Sequence, residues 1–171
     1  EWINYAGTDI NSAPVPAWTL GTEALQVAPR KVSIAANASQ IITLQVPVNE
    51  NILQYWTPEQ PNLYALLLSI KDKKQTIDTK YERFGWREWT LQGTTQYLNG
   101  KPYALHGDSW HFMGIPQMTR RYAWAWFTAI KGMNGNAVRP HAQVYPRFYM
   151  DMADEMGICV LNETANWASD G

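Results

Sequence analysis

Apolar residues fall at every second position in several stretches of the first half of the chain. The alternation runs through 32–34 and 42–48, and it returns in 77–82. A period of two predicts β-strands with one buried face. The stretch 63–70 is almost continuously apolar, which predicts a strand buried on both faces, and the polar run 71–74 predicts a hairpin tip after it.

The pattern of the first half predicts an antiparallel β-sandwich. Residues 37–39 (Asn-Ala-Ser) predict a turn between two strands, and no helical period appears before about residue 120. We therefore predict an immunoglobulin-like β-sandwich over residues 1–90. The number of strands is low for a whole sandwich, so we expect either a truncation at the N-terminus or an unusual first strand within residues 1–28.

The hydrophobic period becomes helical after residue 120. Residues 121–133 and 146–156 place large apolar side chains three or four positions apart, which predicts two helices, the second ending before Gly157. Before them, Asn99-Gly100 predicts a hairpin turn between two extended runs. On the second helix, Asp151, Asp154 and Glu155 are expected to face water. Short strand segments occur before, between and after the helices, at 103–107, 136–139 and 157–161. The order strand, helix, strand, helix, strand is typical of a parallel α/β sheet.

This order predicts the opening of a (β/α)₈ barrel. A closed barrel needs about eight strand–helix units and about 250 residues, so residues 91–171 are predicted to be the first three units of an incomplete barrel. The carboxyl ends of barrel strands build active sites. Polar residues follow those ends here, namely Asp108, His111, Arg139, His141 and Glu163. We therefore expect part of an enzyme's site at this edge of the sheet.

Composition and charge exclude several classes of partner. The 171 residues are 46% hydrophobic and 17% charged, as in folded proteins. The net charge of −1 predicts no nucleic-acid partner, and no stretch approaches the ~18–20 apolar residues of a membrane-spanning helix. The sequence has no cluster with metal-ligand spacing and no glycine-rich phosphate loop, so we predict neither a metal nor a cofactor.

Cysteine and aromatic usage add two expectations. The single cysteine, Cys159, allows no internal disulfide and lies in an apolar run, which predicts a buried thiol. Nine Trp and nine Tyr provide flat apolar faces with polar edges, which suit the C–H faces and hydroxyl rims of sugars. The same rings could instead fill a core and a domain interface.

Five short segments occur in a fixed order along the chain. They are WTPEQPNLY (56–64), FGWRE (84–88), LNGKP followed by LHG (98–102 and 105–107), NGNAVR (134–139) and DEMGI (154–158). Together they resemble glycoside hydrolase family 2, which includes β-galactosidases, β-glucuronidases and β-mannosidases. That family has a sugar-binding jelly roll, an immunoglobulin-like sandwich and then a (β/α)₈ barrel. The resemblance implies that this chain is a fragment covering the sandwich and the first three barrel strands.

The resemblance implies retaining hydrolysis of a β-glycoside by two glutamates, one an acid/base and the other a nucleophile. In the family the acid/base follows strand 4 in an Asn-Glu dipeptide and the nucleophile ends strand 7, and this chain has neither position. The pair Asn162-Glu163 imitates that dipeptide but lies at the end of strand 3, so we do not assign Glu163 as the acid/base. We expect no catalytic residue in this chain and no activity from it alone.

The resemblance gives the strand-end residues roles in substrate binding, several of them beside an alternative. They are Asp108, His111, Arg139, His141 and Glu163. His111 either bonds a sugar hydroxyl or packs within its loop. Arg139 can fix a carboxylate or bond sugar oxygens, and it is also compatible with an ion pair to Glu163. His141 falls two residues after Arg139, whereas β-galactosidases place a histidine three residues after it. Asp108 is either a hydroxyl acceptor or a turn cap.

The sequence thus predicts a fragment of a β-galactosidase-like glycosidase that acts on an oligo- or polysaccharide. The competing prediction is a non-catalytic carbohydrate-binding or scaffold unit. The expected partner is a carbohydrate, with no membrane partner. The truncated barrel is expected either to self-associate or to have low order over residues 103–171. The resemblance suggests a periplasmic or secreted protein, and it leaves the sugar and its linkage open.

Overall fold

The computed structural model describes residues 20–49, 51–110, 114 and 117–164. It divides into two units, Thr19–Gln54 and a second unit that contains the described residues from Tyr55 onward. Paired strands and two helices make the second unit a mostly sheet structure.

The unit Thr19–Gln54 contains the turn expected near 37–39. The amide of Ala38 donates to the carbonyl of Ala35 at 3.1 Å. Asn37 has a φ of +59°, in the left-handed region that asparagine tolerates better than most residues. The predicted turn is therefore present, one or two positions earlier than expected.

The strands predicted over 32–34 and 42–48 are wrong, because no hydrogen-bonded strand occurs among the described residues of this unit. The alternating apolar side chains remain accessible, as for Val32 at 42% and Leu44 at 45% exposed. An alternating sequence gives a strand one apolar face, but a ladder also needs a neighbouring backbone to pair its N–H and C=O groups.

In the second unit, β1 (Tyr64–Asp72) and β2 (Gln75–Phe84) form the predicted antiparallel hairpin. The prediction that the first of these strands is buried on both faces is wrong, because Leu66 and Leu68 are 51% and 45% exposed. Among the described residues this sheet has two strands only. Its central leucines therefore have no covering layer there.

A second antiparallel sheet follows the hairpin. Strands β3 (Trp89–Gln92), β4 (Thr95–Leu98) and β5 (Lys101–Pro102) form a three-stranded meander. The turn between the last two is the predicted Asn99-Gly100 pair, with φ of +52° and +76°. Two successive left-handed residues are typical of a type I′ hairpin turn, for which Asn-Gly is favoured.

The third sheet is parallel and contains β6 (Gly107–Trp110), β7 (Ala137–Pro140) and β8 (Cys159–Val160) in that order. Helix α1 (Arg120–Gly132) follows β6, and helix α2 (Arg147–Met156) follows β7. The predicted order of strands and helices is confirmed.

Strand β6 begins at Gly107, four residues later than the predicted start at 103. Before Gly107, the side chain of Asn136 takes the place of backbone-to-backbone hydrogen bonds. The Nδ2 of Asn136 donates to the carbonyl of Ala104 at 2.9 Å, and its Oδ1 accepts from the amide of His106 at 2.8 Å. These bonds satisfy backbone groups that a neighbouring strand would otherwise pair.

Both helices have identifiable ends. At the start of α1, the Oγ1 of Thr119 accepts from the amide of Tyr122 at 3.2 Å, which satisfies one free helix N–H. Helix α2 stops at Gly157, which has a φ of +71°. A Cβ at Gly157 would lie 2.2 Å from the carbonyl oxygen of Pro58. The left-handed backbone and this close approach both require glycine.

The helices cover one side of the parallel sheet, which we call the helix face. The buried core on this face comprises Ala123, Trp126, Phe127, Ile130, Val138, Tyr145, Tyr149, Met152, Ala153 and Ile158. Tyr149 is 1% exposed, and its hydroxyl donates to the carbonyl of Gln117 at 2.5 Å. That bond lets the polar end of the ring be buried with the rest of it.

The acidic side of α2 is only partly solvated. Asp151 and Asp154 have side chains that are 40% and 33% exposed, whereas the prediction that Glu155 faces water is wrong. Arg83 of β2 forms an ion pair with Glu155, whose side chain is 14% exposed. The Nη1 of Arg87 lies 2.9 Å from Oδ1 of Asp154. Charge-assisted hydrogen bonds of this kind are stronger than neutral ones, so they hold α2 against the chain that precedes the parallel sheet.

Four of the five segments that carry the resemblance meet around Trp56, which is 1% exposed. Its Nε1 donates to the carbonyl of Asp154 at 2.8 Å, and its own carbonyl accepts from Nδ2 of Asn99 at 3.0 Å. The guanidinium of Arg87 lies 4.6 Å from the centroid of the Trp56 ring. These four segments therefore determine packing beside the start of β8.

Candidate functional site

The two faces of the parallel sheet carry different residues. Val138 belongs to the core of the helix face, whereas its neighbour Ala137 packs with Trp56 on the other side. Side chains alternate along a strand, so Arg139 shares the side of Ala137. We call this side the Arg139 face, and by register it carries Gly107, Ser109, Ala137, Arg139 and Cys159.

At the carboxyl ends of β7 and β8, Arg139 forms an ion pair with Glu163. The Nε of Arg139 lies 2.5 Å from Oε1 of Glu163. The other oxygen, Oε2, accepts from the backbone amide of Ala142 at 2.6 Å. Ala142 has a φ of +48°, in the left-handed region that is unfavourable for residues with a Cβ. Both carboxylate oxygens of Glu163 are thus bound within the fold.

These contacts stabilise the ionised form of Glu163. Its pKa lies below the ordinary value of 4.5, first because the Ala142 amide donates to the carboxylate and then because Arg139 donates to it. The charge of His141 lowers the pKa further, with a smaller effect. A carboxylate that is ionised at neutral pH and has both oxygens engaged is poorly suited to protonate a leaving group.

Arg139 keeps donors for a further group. Its side chain is 45% exposed. Among the described residues it donates to Glu163 through Nε, and its terminal Nη atoms form no hydrogen bond. A guanidinium has five N–H donors in a planar fork. Arg139 can therefore bind a carboxylate or sugar hydroxyls while it still holds Glu163.

His141 lies beside this pair, directly after β7. Its amide donates to the carbonyl of Trp110 at 2.9 Å, which extends the contact between β6 and β7. Trp110 itself packs on the helix face, with its ring centroid 5.6 Å from that of Trp126 and 5.9 Å from that of Tyr122. The sheet thus brings Arg139, His141 and Glu163 together at one edge.

The other two predicted residues are not part of this group. Asp108 pairs in register with Val138, which places it on the helix face at the edge of the sheet. Its carboxylate accepts from the amide of Ser109 at 2.8 Å, a local bond of the capping kind. A role for Asp108 in substrate binding stays a prediction. His111 lies outside the described residues.

Two residues that the sequence did not single out belong to the site. Ser109 is exposed on the Arg139 face, with its Oγ 3.5 Å from the carbonyl oxygen of Arg139. Alternation from Gly107 would have identified it. Ala142 contributes its backbone amide, and nothing in an alanine side chain marks that role.

A separate cavity lies away from this group. It has a volume of 710 Å³ and is lined by residues that include Trp56, Arg87, Trp89 and Cys159, and by none of the predicted site residues that the structure describes. Cys159 is 8% exposed, and burial raises the pKa of its thiol to about 11. The prediction of a buried thiol is confirmed.

Within 20–49, 51–110, 114 and 117–164, no group of three or more His, Cys, Asp or Glu side chains could hold a metal ion. Within the same residues, no helix has both the length and the apolar character needed to cross a membrane.

The sequence is similar to a known family of proteins and to individual members of it. Residues 18–87 match the profile of the glycosyl hydrolases family 2. A protein of Formosa agariphila named as a β-glucuronidase is 32% identical over 137 residues, which is 76% of this chain and 13% of that protein. A β-galactosidase of Priestia megaterium is 27% identical over 147 residues, which is 83% of this chain and 14% of that protein.

A solved structure has a similar fold. The β-glucuronidase of Parabacteroides merdae is 28% identical and superposes with a TM-score of 0.60, over 72% of this chain and 16% of that one. This chain therefore spans between 13% and 16% of the length of these three proteins.

Proposed function

We propose that this chain, which belongs with the family 2 glycosyl hydrolases, forms part of the substrate site of a retaining β-glycosidase of the β-galactosidase type. The observation that carries the proposal is the Arg139–Glu163 ion pair at the carboxyl ends of two adjacent parallel strands. Barrel enzymes build their active sites at this end of the sheet.

The proposed fold is an immunoglobulin-like sandwich over residues 1–90, followed over 91–171 by the first three units of a (β/α)₈ barrel. Its support is the sequential order of β6, β7 and β8, with α1 and α2 packed on a single face. Leu161, just after β8, is 44% exposed. We expect the isolated chain to self-associate through such apolar surface, which light scattering would detect as a mass above 19.5 kDa.

The proposed chemistry uses two carboxylates that lie outside this chain. Retaining hydrolysis needs one carboxyl to protonate the leaving oxygen and a second, about 5–5.5 Å away, to attack the sugar. Glu163 is held ionised by Arg139 and Ala142, which does not suit a general acid. It follows the third parallel strand rather than the fourth or seventh, so we assign it neither role. The exposed end of Arg139 would orient a reacting carboxylate or the sugar, with Ser109, His111 and His141 as further contacts.

The proposed substrate is a β-linked carbohydrate. The named relatives include both β-galactosidases and β-glucuronidases, so a neutral sugar and a uronic acid are the two forms to compare. An arginine fork binds a carboxylate in two parallel hydrogen bonds and a hydroxyl less strongly. A preference for a uronic acid would therefore indicate that Arg139 contacts the sugar's carboxylate.

The experiment compares a full-length protein that carries this segment with the 171-residue chain. Each is assayed with 4-nitrophenyl β-galactoside and 4-nitrophenyl β-glucuronide, and proton NMR records the anomer that is released first. We expect the full-length protein to release a β-anomer from one of the two, and the short chain to release none.

Two results would contradict the proposal. One is a full-length protein that binds sugar but hydrolyses neither substrate, which would favour a non-catalytic carbohydrate-binding unit. The other is turnover by the 171-residue chain that Glu163→Gln abolishes, which would make Glu163 a catalytic residue.

A further inference from the structure

We propose that Glu163 is a positioning residue: it fixes the guanidinium of Arg139 and the turn at His141-Ala142 and does not itself contact the sugar. The inference rests on the proposed function for its enzymatic readout. It goes beyond that function because a polar residue at a barrel strand end is ordinarily taken as a substrate ligand.

The geometry leaves Glu163 little capacity to bind anything else. One oxygen accepts from Nε of Arg139 at 2.5 Å, and the other accepts from the amide of Ala142 at 2.6 Å. The Glu163 side chain is 29% exposed, and the Arg139 side chain is 45% exposed. The arginine therefore offers more free surface to a ligand than the carboxylate does.

The two bonds restrict two different parts of the site. The bond to Nε fixes the plane of the Arg139 guanidinium, since a planar fork held at one nitrogen has few orientations left. The bond to Ala142 holds a residue whose φ of +48° costs energy without a compensating contact. That turn follows His141 directly, so the same carboxylate sets the backbone position of the histidine.

The charged groups that act on Glu163 among the described residues are Arg139 and His141. Both are positive when protonated, and both belong to the end of β7 or the turn after it. Loss of the carboxylate charge would therefore free Arg139 and the turn together. A neutral amide at this position could accept one of the two bonds, but it would present N–H donors to the other donor.

The enzymatic test uses the full-length protein with Glu163→Gln, Arg139→Lys and the double variant. We expect Glu163→Gln to lower kcat at least tenfold and to leave KM within about twofold, because a positioning defect acts in the transition state. The double variant should be no worse than Arg139→Lys alone, because both substitutions disturb the same guanidinium. Glu82→Gln, an exposed glutamate of β2 paired with Arg147, is the matched control and should keep full activity.

A sugar ligand would behave differently. A rise in KM with kcat kept, or losses that multiply in the double variant, would each overturn the proposal. If Glu163→Gln does not fold, Glu163→Asp carries the same test, because its shorter carboxylate keeps the charge but cannot reach both partners.

A second readout does not depend on activity, so that failure of the proposed function can be told apart from failure of this inference. Hydrogen–deuterium exchange of a peptide covering residues 140–144 should show the Ala142 amide protected in the parent protein and exchanging at early times in Glu163→Gln. The Glu82→Gln control should match the parent. Unchanged exchange in Glu163→Gln would overturn the anchoring role even if the enzyme is active.

Discussion

The β1–β2 hairpin and the parallel layer of β6, β7 and β8 with their two helices both carry large apolar side chains, but these differ in burial. Ile70 on β1 is 50% exposed, whereas Ile130 on α1 is 2% exposed. The parallel sheet has helices packed on one side, and the hairpin has two strands and, in the described part of the chain, no layer over its leucines. An apolar sequence favours burial, but the amount buried depends on which layer packs on it.

The arginines of the two regions differ in the opposite sense. Arg83 on the hairpin is 19% exposed, and it binds both Glu155 and the carbonyl of Asp151. Arg139 on the parallel layer is 45% exposed and holds Glu163 through one edge only. A guanidinium engaged on several sides holds elements together, whereas one with a free edge can bind a ligand.

The largest expected effect is on the free energy of unfolding. It is tested by making the same substitution, isoleucine to alanine, in each of the two regions. Ile130→Ala should reduce the free energy of unfolding of the 171-residue chain by about 2–5 kcal/mol, because it removes a fully buried side chain and leaves a cavity. Ile70→Ala should cost less than about 1 kcal/mol, since half of that side chain is already in water. Urea unfolding followed by far-UV circular dichroism, at low protein concentration, measures both. Equal losses would mean that the hairpin is covered in solution.

The same comparison explains which parts of the fold were predictable from sequence. The helices, the Asn99-Gly100 turn and the end at Gly157 depend on neighbours in the chain, and the sequence predicted them. The strands over 32–48 depend on a distant partner, and their alternation did not produce a ladder. The start of β6 depends on Asn136, some thirty residues away, which no local pattern can reveal.

The candidate site was predictable to a similar degree. Strand ends identified Arg139, His141 and Glu163, which the structure brings together. Asp108 was selected by its charge, although alternation along β6 puts Ser109 on the Arg139 face instead. The amide of Ala142 carries no side-chain signal. A sequence indicates which residues can do chemistry, whereas register and backbone conformation decide which of them meet.

The second prediction contrasts the two arginines in a full-length protein. Arg139→Lys should lower kcat by more than about tenfold, equivalent to ~1.4 kcal/mol or more of barrier, because lysine lacks the planar fork. Its melting temperature should change little. Arg83→Lys should do the reverse, with a lower melting temperature and kcat within about twofold of the parent.

Steady-state kinetics and thermal melts of the same two preparations decide this contrast. If Arg139→Lys keeps kcat and instead melts several degrees earlier, Arg139 is a structural ion-pair partner. In that case the assignment of the site to the end of β7 is wrong.

The smallest expected effect tests whether register, rather than charge, selects the β6 residue that faces the substrate. Ser109→Ala should lower kcat/KM by about 2- to 13-fold, which corresponds to the ~0.5–1.5 kcal/mol of one neutral hydrogen bond. The matched control is Ser69→Ala, at an exposed serine of β1 opposite Thr79, and it should leave kcat/KM unchanged. Each variant removes one serine hydroxyl. A difference in kcat/KM between them therefore depends on where that hydroxyl lies. If Ser109→Ala is silent while Asp108→Asn lowers kcat/KM, the carboxylate at the sheet edge reaches the substrate after all, and the division of the parallel layer into a helix face and an Arg139 face does not extend to β6.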